Sequence, residues 1–397
     1  MTQSDGGRAG RPDLAFDRLD PRLFETVSPD AQSPSLLSTI PAILRWRDSH
    51  SDLLARINST HSAFVRSRIG ALGDSSAALN SMLSQMPREL WQRIELAPEV
   101  FRLLTAPHDL TAAEVTEILR NFCAVELHIA GRRAVDPLLT GIWSALGDVC
   151  VIGSQTRRRQ ATPAQFARTR DLALAPVVRG TVIDGFSPTY STIFGYTAWS
   201  VESHADSEFQ ESLDKISAAM EFILSVSPPT CAMLDTCLRV VSLARSPSDP
   251  NMTVSGSHPH LRGLAGFSNL NSARWAPDQV AGALVHEGIH SLVSKVEITD
   301  SLFSSYRDAG AIRVRSPWSD GSLPLWAHVH SCFVWFGLWR FWQLAGSHSE
   351  RASEFAETAR MGFDGEAALN NIPPEGIALL RPDAADALRT MTREAAA

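Results

Sequence analysis

The sequence predicts a mainly α-helical protein with small β elements (α+β): a helical N-terminal region followed by a second helical core that carries a histidine motif. Three observations predict it. Apolar residues recur at helical spacing almost without interruption from Leu36 to about Gly153, and again from Val280 to Val296. Short β-branched runs separated by Gly and Pro at Ala175 to Tyr196 read as short strands or an irregular connection, and Leu238 to Leu243 reads as a strand. The composition, 44% hydrophobic and 20% charged over 397 residues, is that of a globular chain long enough for two subdomains or one large domain with extensions.

Taken in order, residues 1–35 are rich in Gly, Pro, Asp and Ser and read as a loosely ordered segment. Residues 36–228 form the helical region. Ile43, Leu44, Trp46, Leu53, Leu54 and Ile57 repeat at helical spacing, as do Leu79, Met82, Leu83 and Met86. Thr111 followed by Glu114 is a capping box before Val115, Ile118, Leu119 and Phe122. Arg157, Arg158 and Arg159 read as a solvated loop, with contact to an acidic peptide or leader as the alternative. A helix from Phe209 to Ser225 ends at Pro228-Pro229, which marks the boundary to the metal-binding region, residues 229–345. There a turn-rich loop, Arg313 to Pro324, precedes a helix running to about Ala345, and residues 346–397 form a tail of short amphipathic helices.

The chemistry is concentrated in Val280–Val296, VAGALVHEGIHSLVSKV. His286-Glu287-Gly288-Ile289-His290 is an HExxH pattern in which residues four apart share a helix face, so both imidazoles aim at one point. Val280, Leu284, Val285, Ile289, Leu292, Val293 and Val296 bury the rest of the helix, and a rigid helix holds ligands better than a loop. Two nitrogens make half of a transition-metal site. Val293 and Val296 stand where the long zinc-peptidase motif has glycine and histidine, and Glu297 follows on the same helix, where it is badly placed to close the site. Of His328 and His330, two apart on a later helix, at most one ligates; His258 and His260 sit on a loop and rank lower.

The net charge of −7 argues against a general nucleic-acid binder. Five scattered cysteines without a CxxC pair make no disulfide framework, which fits a reduced cytoplasm. The polar start lacks a signal-peptide core, and the apolar run Phe333 to Trp342 is short and contains Arg340, so no membrane span is expected. Five of ten tryptophans fall between 318 and 342: Trp335, Trp339 and Trp342 share a core-facing stripe, and Trp318 or Trp326 is the candidate wall of a substrate groove.

The segments GLAGFSN (Gly263–Asn269), LVHEGIH (Leu284–His290) and SPWSDGSLPLWAHVHSCFVW (Ser316–Trp335) together resemble the HExxH-type, 2-oxoglutarate-dependent peptide β-hydroxylases. The resemblance covers about Cys231 to Trp342. It implies Fe(II) held by His286, His290 and His330, with open positions for 2-oxoglutarate and O2, and a ribosomally made peptide, with or without a leader, as substrate. Where that family tends to carry arginines in the SPW loop, this chain has Ser319 and Leu323, so the resemblance leaves Arg313 or Arg315 as the nearest holders of the cosubstrate carboxylate. Glu287 is the catalytic candidate, hydrogen-bonding a metal-bound water, orienting a ligand or ligating. Two other readings use the same residues: a zinc hydrolase with Glu287 as general base, and a non-catalytic peptide-binding protein.

Overall fold

The computed structural model describes residues 35–106, 110–132, 141–151, 168–169, 172–185, 187, 207–245, 253–319 and 321–397. The expected loose N-terminal segment, the arginine run at 157–159 and Asp320 lie outside the described residues.

The architecture is mainly α with a small mixed sheet, as the sequence predicts. The first helices are α1 (Ile40–Ile43), α2 (Ser51–Asp74), α3 (Ala77–Leu83), α4 (Arg88–Glu95), α5 (Pro98–Thr105) and α6 (Ala112–Ile129). At the start of α6, Thr111 and Glu114 form the reciprocal capping box the spacing predicts. The stripe from Ile43 to Ile57 is not one helix. Trp46 and His50 take left-handed φ values of 55° and 44°, and the Trp46 indole donates to the Gly337 carbonyl at 2.8 Å. A buried tertiary hydrogen bond thus overrides local periodicity.

Strands β1 (Val149–Val151), β2 (Arg168–Thr169) and β3 (Leu172–Leu174) make a small antiparallel sheet in the order β1-β3-β2. The central sheet contains β4 (Val177–Val178), β5 (Thr181–Asp184), β6 (Val240–Ala244), β7 (Ser255–Gly256) and β8 (Leu264–Ser268), in the order β4-β5-β6-β8-β7. β5, β6 and β8 are parallel, with Val182 beside Val240 and Val240 beside Leu264. All five residues of β6 and of β8 are buried, as expected of parallel strands covered on both faces. Between β5 and β6 run α7 (Ser207–Val226) and α8 (Pro228–Cys237), the latter opened by Pro228 and Pro229, whose missing N–H groups fall where a helix has no partner for them.

The motif helix α9 (Pro277–Val296) follows β8 and is packed by α7, α8 and α11 (Leu325–Leu344). Its expected apolar stripe is fully buried. Two glycines set how closely it is embraced: a Cβ on Gly288 would stand 2.3 Å from Leu234 Cδ2, and one on Gly337 of α11 would stand 2.6 Å from Ile289 Cδ1. Ahead of α11 come α10 (Tyr306–Ala311) and a hairpin of β9 (Arg313–Arg315) and β10 (Ser322–Pro324). Arg313–Arg315 and Ser322–Pro324 are therefore paired rather than part of a plain loop, with a Ser316 N–H to Gly321 carbonyl bond of 3.0 Å beyond the last pair. The tail carries α12 (Ala352–Arg360), α13 (Ala367–Asn370), α14 (Pro374–Leu379) and α15 (Pro382–Ala396), the last tied back by Arg45 and Arg340 to Glu394. One hydrophobic core draws on helices from α1 to α15 and on β5, β6 and β8, and it is continuous across residue 228. No described helix is long and apolar enough to cross a membrane.

Candidate metal centre

Helical spacing does locally what the motif predicts. The rings of His286 and His290 stand 4.9 Å apart between centroids, and the donor atoms of His286, Glu287 and His290 all lie within 4.8 Å of one another. Glu287 is buried, and its Oε1 accepts from the Ser255 hydroxyl of β7 at 3.0 Å. The edge strand therefore fixes the carboxylate beside both imidazoles. Burial, then the neighbouring rings of His286 and His330, pushes His290 well below the ordinary histidine range. A neutral ring is the form that coordinates metal.

His330 comes from α11 and stacks on His290, with centroids 5.7 Å apart and planes 19° from parallel. It stands outside the three-donor cluster, and its Nε2 is 3.0 Å from Glu297 Oε2. Tyr306 donates its hydroxyl to the other oxygen of Glu297. Burial would raise the Glu297 carboxyl, but attraction to His330 and hydrogen bonds from His330 and Tyr306, with Arg262 nearby, hold it below the usual carboxylate range. His328 faces elsewhere, its Nε2 bonded to the Ala368 carbonyl at 2.8 Å. Of the two candidate histidines, only His330 reaches the pocket, as the two-residue spacing requires.

The cluster opens into a pocket of about 260 Å³. Trp326 lines it, edge-on to His330 at 6.3 Å, together with Leu323 and Pro324. Trp318 does not line it. That ring stacks on Trp335 at 5.8 Å, donates Nε1 to the Ala359 carbonyl at 2.9 Å and covers Gly362. Arg313 and Arg315 are exposed on β9, Arg313 donating to the Ser322 carbonyl, and neither lines the pocket.

Three pocket residues carry more than their sequence positions indicate. Glu297, seven residues beyond His290, holds His330 in place. His258 lines the wall and His260 packs on it at 5.2 Å. Arg262 contributes a guanidinium only 3% exposed. The signal was Arg262 lying against the strand-like GLAGFSN run, where a charge has to be buried.

Burial, with Arg102 close by, lowers His258 to about 4, and burial with His258, Arg262 and Arg102 lowers His260 to about 3. Both stay neutral in the fold at pH values where the unfolded chain takes up protons. Stability is thus intact above about pH 6.5 and declines as pH falls toward 4, by about 1.4 kcal/mol per pH unit for each histidine that remains neutral. Urea midpoints measured from pH 7 to 4.5 are expected to fall, and a His258→Gln/His260→Gln variant to show a shallower decline; an unchanged slope refutes the assignment.

Compared with known proteins, the chain matches no family model and no curated protein at a significant level.

Proposed function

We propose that this protein is an Fe(II)- and 2-oxoglutarate-dependent oxygenase that hydroxylates the β-carbon of a residue in a ribosomally made peptide. The observation that carries the reading is the cluster of His286, Glu287 and His290, with His330 stacked beside it, at a pocket sized for a small cosubstrate. The resemblance over Cys231–Trp342 supplies the choice of iron and cosubstrate.

The residues fit such a metal. His286 and His290 offer two imidazole nitrogens from one face of a helix. Glu297 engages one ring nitrogen of His330, which leaves the other for coordination and fixes the ring plane, the usual arrangement behind a ligating histidine. Bound Fe(II) with 2-oxoglutarate and O2 supplies oxidative decarboxylation of the cosubstrate to succinate and CO2, with one oxygen atom entering a C–H bond of the substrate. The apolar surfaces of Leu323, Pro324 and Trp326 exclude water and receive a peptide side chain.

One observation favours a second reading. The Glu287 carboxylate, oriented by Ser255 beside both histidines, is also placed to act as general base for a zinc hydrolase. Anaerobic Fe(II) reconstitution followed by O2 and 2-oxoglutarate separates the two: succinate forms under the first reading and rises with a candidate peptide. Peptide cleavage by the zinc-loaded chain, without succinate from the iron-loaded one, selects the second.

A further inference from the structure

Arg262 lies in the turn that leads into β8, where the Leu261 N–H bonds the His258 carbonyl at 2.8 Å and the Leu264 N–H bonds the Leu261 carbonyl at 3.0 Å. It is 3% exposed and lines the same pocket as His286, Glu287, His290 and His330. Its Nε has no hydrogen-bond partner, and among the described residues the guanidinium makes no hydrogen bond or ion pair. The Phe101 ring of α5 lies against it, with Cζ 4.3 Å from the ring centroid. The acids that line the pocket, Glu297 and Glu287, are engaged elsewhere, Glu297 with His330 and Tyr306 and Glu287 with Ser255. A buried cation without an oxygen partner is unfavourable, and a ring face offsets only part of that. Burial accordingly draws Arg262 down to about 10, with Glu297 and Tyr306 opposing. What the site presents is a preorganised planar fork aimed into a pocket, the geometry that suits a carboxylate bound through two parallel hydrogen bonds.

We propose that Arg262 is the carboxylate receptor of this pocket, holding the distal carboxylate of a small dicarboxylic 2-oxo acid whose other end faces the histidine cluster. With 2-oxoglutarate as that acid, the assignment rests on the function proposed above. His258 and His260, neutral on the same side, add no competing charge. The exposed Arg313 and Arg315 are not needed for it.

The test is equilibrium dialysis of 2-oxoglutarate against the full chain loaded with redox-inert Zn(II), with metal content and thermal melting measured on every sample. Arg262→Gln is expected to weaken 2-oxoglutarate by roughly 10–100-fold, the weight of a charge-assisted pair. It should leave the already weak binding of 2-oxobutyrate, which lacks the distal carboxylate, unchanged. Arg313→Gln and Arg315→Gln should bind as the wild type does. A folded, metal-loaded Arg262→Gln with wild-type affinity overturns the receptor alone, whereas a folded, metal-loaded wild type that binds no 2-oxoglutarate overturns the cosubstrate as well. If Arg262→Gln loses an acidic peptide but keeps 2-oxoglutarate, the guanidinium serves the peptide and the dicarboxylate assignment fails. On the unaltered chain, glutarate should displace 2-oxoglutarate and butyrate should not; equal displacement counts against the proposal even where the variant does not fold.

Discussion

Replacing either His286 or His290 with alanine is expected to lower bound metal to below roughly a tenth of the wild-type content, because each change removes one of few protein donors from a site where every donor counts. Elemental analysis of the purified variants is the measurement, with circular dichroism to show that α9 persists; its buried apolar stripe, not the imidazoles, holds that helix in the core. His330→Ala belongs to the same group. Glu297→Gln, which removes the charge of the acceptor shared by His330 and Tyr306, should weaken metal by about 10–100-fold without abolishing it. His328→Ala is the control. Its ring is bonded to Ala368 and lies 6.4 Å from Trp318, outside the pocket, so the variant should keep its metal. Loss of metal in the His328 variant equal to that in the His286 variant would refute the ligand assignment.

The largest single effect on stability is expected at Arg93. Its Nε bonds Glu126 Oε2 at 2.7 Å, and its Nη2 bonds Glu126 Oε1 at 3.3 Å and both Asp148 oxygens at 2.7 and 2.8 Å. Glu126 is completely buried, and burial pushes its carboxyl up while Arg93 pulls it back down. Arg93→Met leaves two buried acids facing each other, which is expected to destabilise the chain by about 3–5 kcal/mol. Arg93→Met/Glu126→Gln should recover part of the loss, since the deeper charge is then gone. Arg120→Ala, which breaks an exposed pair with Glu117 one turn away, should change stability by less than about 1 kcal/mol. Urea unfolding of the three variants checks the order, and an Arg93→Met midpoint within error of wild type would show the pair to be energetically idle.

Much of this architecture is legible because it follows from short-range rules. Thr111 and Glu114 cap a helix whatever surrounds them, and four-residue spacing brings His286 and His290 together on any helix. Features fixed by tertiary contacts are not legible in the same way. Nothing local tells Trp46 to leave the helical pattern; the carbonyl of Gly337, far along the chain, accepts its indole N–H. Glu297 looks misplaced by its spacing from His290 and gains its role only because α11 delivers His330 to it. Trp318 and Trp326 are alike in sequence, yet the hairpin turns one against Trp335 and leaves the other in the pocket wall. The same hairpin carries Arg313 and Arg315 outward, while Arg262 is closed in by Phe101 from a helix 161 positions earlier, a contact that sequence spacing does not show.

That last contact bears on any attempt to dissect the protein. The fully buried Lys295 side chain, at the end of the histidine-bearing helix, donates to Asn58 Oδ1 at 3.2 Å and to the Thr236 carbonyl at 3.0 Å. A fragment excised at residue 228 would keep every imaginable ligand yet strip Asn58 from one inward-facing cation and the aromatic plate from another. The first half of the chain thus supports the histidine-lined region from below rather than forming a detachable accessory.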